Sequence, residues 1–168
     1  MGYNRLFIKI FLLAAVYWTA SSDYKPRILT RLMARCMRNR QHYKLLTNGN
    51  VKKCLRYEET MKPYVEAKRI CEEEGSFVAT FRTKMEQQII LNELYRGFTE
   101  HPKVVWIGLD RLEDYKTFKW IDNGEVIENL TQKTKFMTNH ECTSYNPSSR
   151  IIIPTFCFLY NNYFCELR

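Results

Sequence analysis

The stretch from Val104 to Asp122 narrows the choice of folds most, because it predicts two neighbouring buried strands. Its first seven residues read Val-Val-Trp-Ile-Gly-Leu-Asp, a run of β-branched and aromatic residues in which Gly108 allows a close backbone approach. Phe-Lys-Trp-Ile follows at 118–121, and Asp-Asn-Gly at 122–124 is a turn signal. Because aromatic side chains dominate core energetics, we expect these residues to define the fold rather than to perform chemistry.

The cysteine content and the N-terminus both point to the secretory route. Six cysteines in 168 residues are typical of a protein from an oxidising compartment, where they are paired. Arg5 and Lys9 accompany an apolar run from Ile10 to Trp18, and small residues follow up to Ser22, which is the pattern of a signal peptide over residues 1–22. The run is shorter than the ~20 apolar residues that a membrane span needs. We therefore expect a secreted, extracellular protein.

Positive charge is concentrated near the start of the expected mature chain. The formal charge is +8, or +6 without residues 1–22, and ten Lys and Arg but no acidic residue lie between Lys25 and Arg56. Residues 23–35 form a basic amphipathic segment, which could pack on the domain, self-associate as a neck or lie on an anionic membrane. The candidate contacts for an anionic ligand are Arg31, Arg35, Arg38, Arg40, Lys44, Lys52 and Lys53.

The order of the predicted elements indicates an α+β fold. Asn48-Gly49 predicts a hairpin turn between two strands, and Pro63 can open a first helix. Thr83 and Glu86 have the spacing of a capping box, which opens a second helix. Only strands follow, with a long loop region over 122–150 and a terminal hairpin over 156–167. The second helix is expected to direct these residues inward: Met85, Ile89, Ile90 and Leu94.

Four motifs in a familiar order resemble the C-type lectin-like domain. They are Tyr64-Val65-Glu66-Ala67 followed by Cys71, Trp106-Ile107-Gly108-Leu109, Phe118-Lys119-Trp120, and Cys157 followed by Phe164-Cys165-Glu166. The resemblance covers residues 36–168 and implies two helices flanking antiparallel sheets, with a long loop region and disulfide staples. It implies three pairs, Cys71–Cys165, Cys142–Cys157 and Cys36–Cys54. An interchain bridge through Cys36 is the alternative for the third pair.

The same resemblance implies where a calcium-dependent sugar site would lie. Family members with such a site carry oxygen ligands in two triplets, as calcium requires. Here the first position reads Gln132-Lys133-Thr134, which includes a cation, and the second reads Ile152-Ile153-Pro154, which offers no oxygen ligand. We therefore expect no calcium and no other cofactor. The candidate ligand loop comprises Gln132, Lys133, Asn139, Glu141, Ile151, Ile152 and Ile153.

Enzymatic patterns do not occur in the sequence. His42, His101 and His140 lack metal-ligand spacing, and Ser148-Ser149 lacks a nucleophile-elbow context. We expect a non-enzymatic, lectin-like recognition module that binds an extracellular glycan or glycoprotein without calcium, with anionic glycans as one ligand class. Asn129-Leu130-Thr131 is a glycosylation sequon in the long loop region.

Two other functions fit the same residues. The apolar stretch Ile151–Pro154 could contact a protein receptor or a second copy, which would make the chain a protein-binding module or a homo-oligomer. The basic segment 23–35 could instead lie on a membrane surface without spanning it. A nucleic acid is not among the expected partners.

Overall fold

A computed structural model describes residues 24–39, 42–97, 104–133 and 139–168. The predicted signal peptide, residues 1–22, lies outside this part of the chain. The described residues form four helices, α1 (Tyr24–Arg38), α2 (Tyr64–Glu73), α3 (Lys84–Gly97) and α4 (Glu128–Lys133). They also form eight strands: β1 (Lys44–Asn48), β2 (Val51–Lys62), β3 (Phe77–Val78), β4 (Val105–Asp110), β5 (Lys119–Trp120), β6 (Cys142–Asn146), β7 (Ile151–Thr155) and β8 (Asn161–Leu167).

The strands join in one sheet with the order β1-β2-β8-β4-β6-β7, while β3 pairs with β8 and β5 with β4. All pairings are antiparallel except β4 with β8, which is parallel. The predicted α+β class is confirmed. The terminal hairpin is wrong, because β8 pairs with β2, β3 and β4 and not with the segment before it.

Strand β4 lies at the centre of the core, as the sequence predicts. All six of its residues are buried, and the Tyr64 ring meets the Trp106 ring edge-on at a centroid distance of 5.5 Å. The Trp106 indole donates a 2.7 Å hydrogen bond to the Lys62 carbonyl, so this buried ring is also satisfied as a donor. Gly108 is required here, because a Cβ atom would lie 2.2 Å from the Val78 carbonyl oxygen.

Helix α3 begins with the predicted capping box. The Thr83 amide donates to Glu86 Oε2 at 2.9 Å, and the Glu86 amide donates to Thr83 Oγ1 at 3.2 Å. Ile89, Ile90 and Leu94 are buried as expected. Met85 is not, since 44% of it is exposed.

Two helices lie outside the expected pair. Helix α4 and strand β6 occupy part of the region 122–150, which is therefore less irregular than predicted. Helix α1 runs through the predicted boundary between residues 35 and 36. Cys36, the first residue of the expected domain, therefore lies in the same helix as the basic segment. None of the helices in the described ranges is long and apolar enough to cross a membrane.

Three disulfides hold these elements together. Cys71–Cys165 joins α2 to β8, Cys142–Cys157 joins β6 to the segment after β7, and Cys36–Cys54 joins α1 to β2. These are the pairs that the family resemblance implies. All six cysteines are described and none is free, so Cys36 is bonded within the chain rather than to a second copy.

Candidate functional site

One of the predicted anion contacts, Lys53, is part of the buried structure. Only 4% of Lys53 is exposed, and its Nζ lies 2.8 and 3.0 Å from the two carboxylate oxygens of Glu166. An oxygen of a second carboxylate, Glu86 Oε1, lies 3.4 Å from the same Nζ. The assignment of Lys53 to a ligand surface is therefore wrong, because its charge is neutralised inside the domain.

Two more of the basic candidates are engaged within the chain. Lys44 Nζ pairs with Glu93 Oε1 at 2.6 Å. The Arg35 guanidinium donates to the carbonyls of Gly75 and Arg168 at 2.8 and 2.6 Å, which fixes α1 to the C-terminal end of β8. Arg40 lies outside the described residues. The candidates that make neither an ion pair nor a side-chain hydrogen bond within the described part of the chain are Arg31, Arg38 and Lys52.

The position of the second calcium triplet falls within a regular strand. Ile152, Ile153 and Pro154 belong to β7 and pair with β6, and Ile152 packs against the core. The side-chain oxygen of β7 is Thr155 Oγ1, which is already hydrogen-bonded to Ser144 Oγ at 2.8 Å. This donor set does not fit calcium, which takes six to eight oxygen ligands.

The remaining candidates of the ligand loop are separated from one another. Ile151 is 52% exposed at the start of β7, whereas Ile153 is half-buried. Gln132 is exposed on α4, Lys133 is the last residue of that helix, and Thr134 lies outside the described residues. Asn129 of the sequon is also exposed on α4.

Asn139 and Glu141 lie together in a cleft of about 520 Å³, which we call the aromatic cleft. This volume is within the range of about 300–1,000 Å³ that is usual for ligand sites. Asn139 adopts a positive φ of 71°, a conformation that asparagine tolerates better than most residues. The cleft is lined by Pro63, Val65, Asn139, Glu141, Phe156, Cys157 and Phe158.

Two phenylalanines form the apolar wall of the aromatic cleft. The Phe156 ring stacks on Phe158 at a centroid distance of 5.2 Å, and it contacts the His140 ring in a tilted arrangement at 3.9 Å. Phe158 is nevertheless 67% exposed, so a large part of its surface is available to a ligand. The Tyr64 amide donates a 2.9 Å hydrogen bond to the Cys157 carbonyl, which holds this wall against the start of α2.

The polar side chains of the aromatic cleft have no partner within the described part of the chain. The structure shows no hydrogen bond or ion pair to the Asn139 amide or the Glu141 carboxylate in the described ranges. Two other cavities, of about 300 and 490 Å³, differ in this respect. Their charged side chains are largely paired with each other, as Lys44 is with Glu93 and Lys68 with Asp110.

Asp110 illustrates how a charge at the end of a strand can be structural. Asp110 is the last residue of β4 and is only 7% exposed. Its Oδ2 accepts a 2.9 Å hydrogen bond from the Tyr64 hydroxyl and lies 3.3 Å from Lys68 Nζ. Burial, together with the negative charge of Asp110, holds the pKa of Tyr64 well above its ordinary value. Asp110 therefore supports the core and is not a candidate for binding.

The sequence identifies two of the residues that line the aromatic cleft. Asn139 and Glu141 stand out as polar residues in the candidate loop, but Phe156 and Phe158 were assigned to a hairpin strand. The available signal was the uninterrupted run Phe-Cys-Phe-Leu-Tyr at 156–160, which lacks the alternation of a half-buried strand.

Comparison with known proteins agrees with this fold. The profile of the lectin C-type domain family matches residues 60–167. A mouse scavenger receptor C-type lectin carbohydrate-recognition domain is 24% identical with a TM-score of 0.57, covering 76% of this chain and 94% of its own. Human lithostathine is 17% identical with a TM-score of 0.57, covering 73% of this chain and 96% of its own. A Ca²⁺-dependent type II antifreeze protein in its Ca²⁺-free form is 16% identical with a TM-score of 0.54, covering 75% of this chain and 97% of its own.

At these identities the structural likeness shows the fold alone. A search of curated proteins finds no match. The family profile, however, spans most of the chain and includes both of the disulfides that tie β8 and β6 into the domain. This chain therefore belongs to the family of C-type lectin domains.

Proposed function

We propose that this chain is a secreted, non-enzymatic recognition domain that binds a glycan in the aromatic cleft without calcium. One observation carries the proposal: the cleft combines a stacked, exposed aromatic wall with two polar side chains that have no partner in the described chain. Domains of this family are generally binding modules. The three disulfides are compatible with an extracellular compartment.

A sugar ring matches this arrangement chemically. One face of a pyranose is made of C–H groups and can stack on an aromatic ring such as Phe158. Its hydroxyls both donate and accept hydrogen bonds, as the Asn139 amide does, while the Glu141 carboxylate accepts them. Apolar sites with a few converging polar groups are the usual form of small-ligand sites. Ile152, Ile153 and Pro154 on β7 occupy the position of the family's second calcium triplet. Their side chains offer no oxygen ligand, which supports binding without calcium.

A second candidate function rests on α1. Arg31 and Arg38 are exposed and lie seven residues apart, so they share one side of the helix. They would attract an anionic polysaccharide or an anionic membrane in a salt-dependent manner. This surface is smaller than the sequence suggests, because Lys53, Lys44 and Arg35 are engaged elsewhere.

A glycan array tests both candidates. The oxidised protein is applied with calcium and again with a chelator, and the variants Phe158→Ala and Tyr95→Ala are compared. Tyr95 is an exposed aromatic residue on α3, outside the aromatic cleft, and serves as the matched control. We expect binding that the chelator leaves unchanged and that Phe158→Ala weakens about tenfold, which corresponds to ~1.4 kcal/mol.

Three results would contradict the proposal: a blank array, binding that the chelator abolishes, or equal binding by Phe158→Ala. If binding instead disappears in the double variant Arg31→Ala/Arg38→Ala and falls with salt, the function lies on α1.

A further inference from the structure

Charge in the aromatic cleft is set by one residue. Among the described residues that line the cleft, Glu141 is the single charged side chain, and none of these residues is Lys or Arg. The Glu141 carboxylate is half-buried and makes no ion pair within the described chain. Its backbone carbonyl accepts a 2.9 Å hydrogen bond from the Arg111 amide, which fixes the position of the residue while leaving the carboxylate available.

From this charge we infer that the aromatic cleft selects an amino sugar, that is, a sugar unit that carries a protonated amine. The inference rests on the proposed function and names the ligand class for the same site. An ammonium group donates charge-assisted hydrogen bonds to a carboxylate, and these are stronger than bonds between neutral groups. An ammonium group is also attracted to aromatic rings such as those of Phe156 and Phe158. A sulfated sugar would meet no cation among the described lining residues and would be repelled by Glu141.

The charges of the described residues beside the aromatic cleft do not oppose this selection. Lys62 and Glu66, which flank the cleft residues Pro63 and Val65 in the sequence, pair with each other, with Nζ 2.7 Å from Oε1. The basic helix α1 is held at the far end of β8 through Gly75 and Arg168. The cleft residues Phe156 and Phe158 precede the other end of this strand. Because β8 has seven residues at ~3.3 Å per residue, the cleft and α1 are about 20 Å apart along it. This exceeds the Debye length of about 8 Å at physiological salt, so the basic surface is screened from the cleft.

Three disaccharides that differ at one nitrogen provide the test. The nitrogen of an otherwise identical glucosamine disaccharide is left as a free amine, acetylated or sulfated, which gives a positive, neutral or negative group. Binding is measured at pH 7, where an amine with a pKa of about 7.7–8.0 is mainly protonated. The proteins are the wild type, Glu141→Gln, and the matched control Glu73→Gln, which removes an exposed carboxylate on α2 that pairs with Arg69.

The wild type and Glu73→Gln should bind the amine about tenfold more tightly than the acetylated sugar, and the sulfated sugar most weakly. Glu141→Gln should retain binding of the acetylated sugar and lose the preference for the amine. Equal or tighter binding of the acetylated sugar by the wild type, still dependent on Phe158, would overturn the amino-sugar assignment and leave the proposed function standing. A preference that persists in Glu141→Gln would also overturn it. Absence of binding to all three sugars would overturn the amino-sugar assignment, whereas a blank glycan array is the result that would overturn the proposed function as well.

Discussion

Replacement of Lys53 by Met should destabilise the domain severely, although the sequence suggests a surface charge. The variant removes the ammonium group that lies 2.8 and 3.0 Å from the oxygens of Glu166, and it leaves a buried carboxylate without its cation. Breaking such a pair costs about 3–5 kcal/mol. Lys52→Met is the matched control, because Lys52 precedes Lys53 and makes no ion pair in the described chain. Its effect should be within ~0.5 kcal/mol.

The assay is urea unfolding with the disulfides intact, followed by tryptophan fluorescence. With a slope of about 2 kcal/mol per M, Lys53→Met should lower the midpoint by roughly 1.5–2.5 M. The double variant Lys53→Met/Glu166→Gln should recover much of the loss, because it removes the stranded charge. Its glutamine oxygen can still accept the Thr80 amide, which lies 3.1 Å from Glu166 Oε2.

The reasoning would be refuted if Lys53→Met lowered the midpoint by less than about 0.5 M. It would be refuted equally if the double variant were as unstable as the sum of the two single variants, since distant, uncoupled residues are additive. If Lys53→Met stays stable and loses retention on immobilised heparin, Lys53 belongs to a ligand surface after all.

Three further predictions concern the disulfide on α1, acid stability and the sequon. Replacing Cys36 and Cys54 by Ser should cost about 3 kcal/mol of unfolding free energy, and the wild type should run as a monomer on a non-reducing gel, where a disulfide dimer would contradict the internal bond. Burial disfavours the Glu86 carboxylate, but Lys53 and two backbone amides outweigh burial and hold its pKa below the ordinary value. Its stabilisation is thus present at neutral pH and lost as pH falls through that lowered pKa, so Glu86→Gln should flatten the acid side of a pH–stability profile; an unchanged slope would exclude this role. Wild-type protein secreted from eukaryotic cells should lose mass on enzymatic removal of N-glycans, whereas Asn129→Gln should not; equal masses would show that the sequon is unused.

Features that depend on neighbouring residues could be predicted from the sequence. The capping box of Thr83 and Glu86 is an exchange of hydrogen bonds across three residues, and the structure contains both bonds. The buried strand around Trp106 follows from its composition alone. In each case the physical cause lies within the same short stretch of chain.

Features that depend on distant residues could not be predicted. The partner of Lys53 is 113 residues away, and nothing near Lys53 in the sequence indicates a carboxylate. Met85 has the correct helical spacing for the core, yet it lies beside the turn at Gly49, at the edge of the packed face. The pairing of a strand is decided by the rest of the sheet, which is why β8 does not form the predicted hairpin.

The candidate site could be predicted only in part, because it also depends on residues that are distant in the sequence. The sequence shows that Ile152 and Pro154 replace oxygen ligands, and it singles out Asn139 and Glu141. It does not show that Phe158 remains exposed beside them, because apolar runs usually predict burial. The exposure follows from the turn before β8, which the disulfide of Cys157 holds in place.

The position of β8 has a consequence for how the domain is made in the cell. This strand comes last in chain order among the described strands, yet it joins β2 on one side to β4 on the other, and it carries Cys165 and Glu166. While the ribosome is still translating residues 161–167, the earlier strands have no central partner and expose their edges. The sheet therefore cannot be completed until translation has passed this strand, and until then the partly paired strands are open to misassembly.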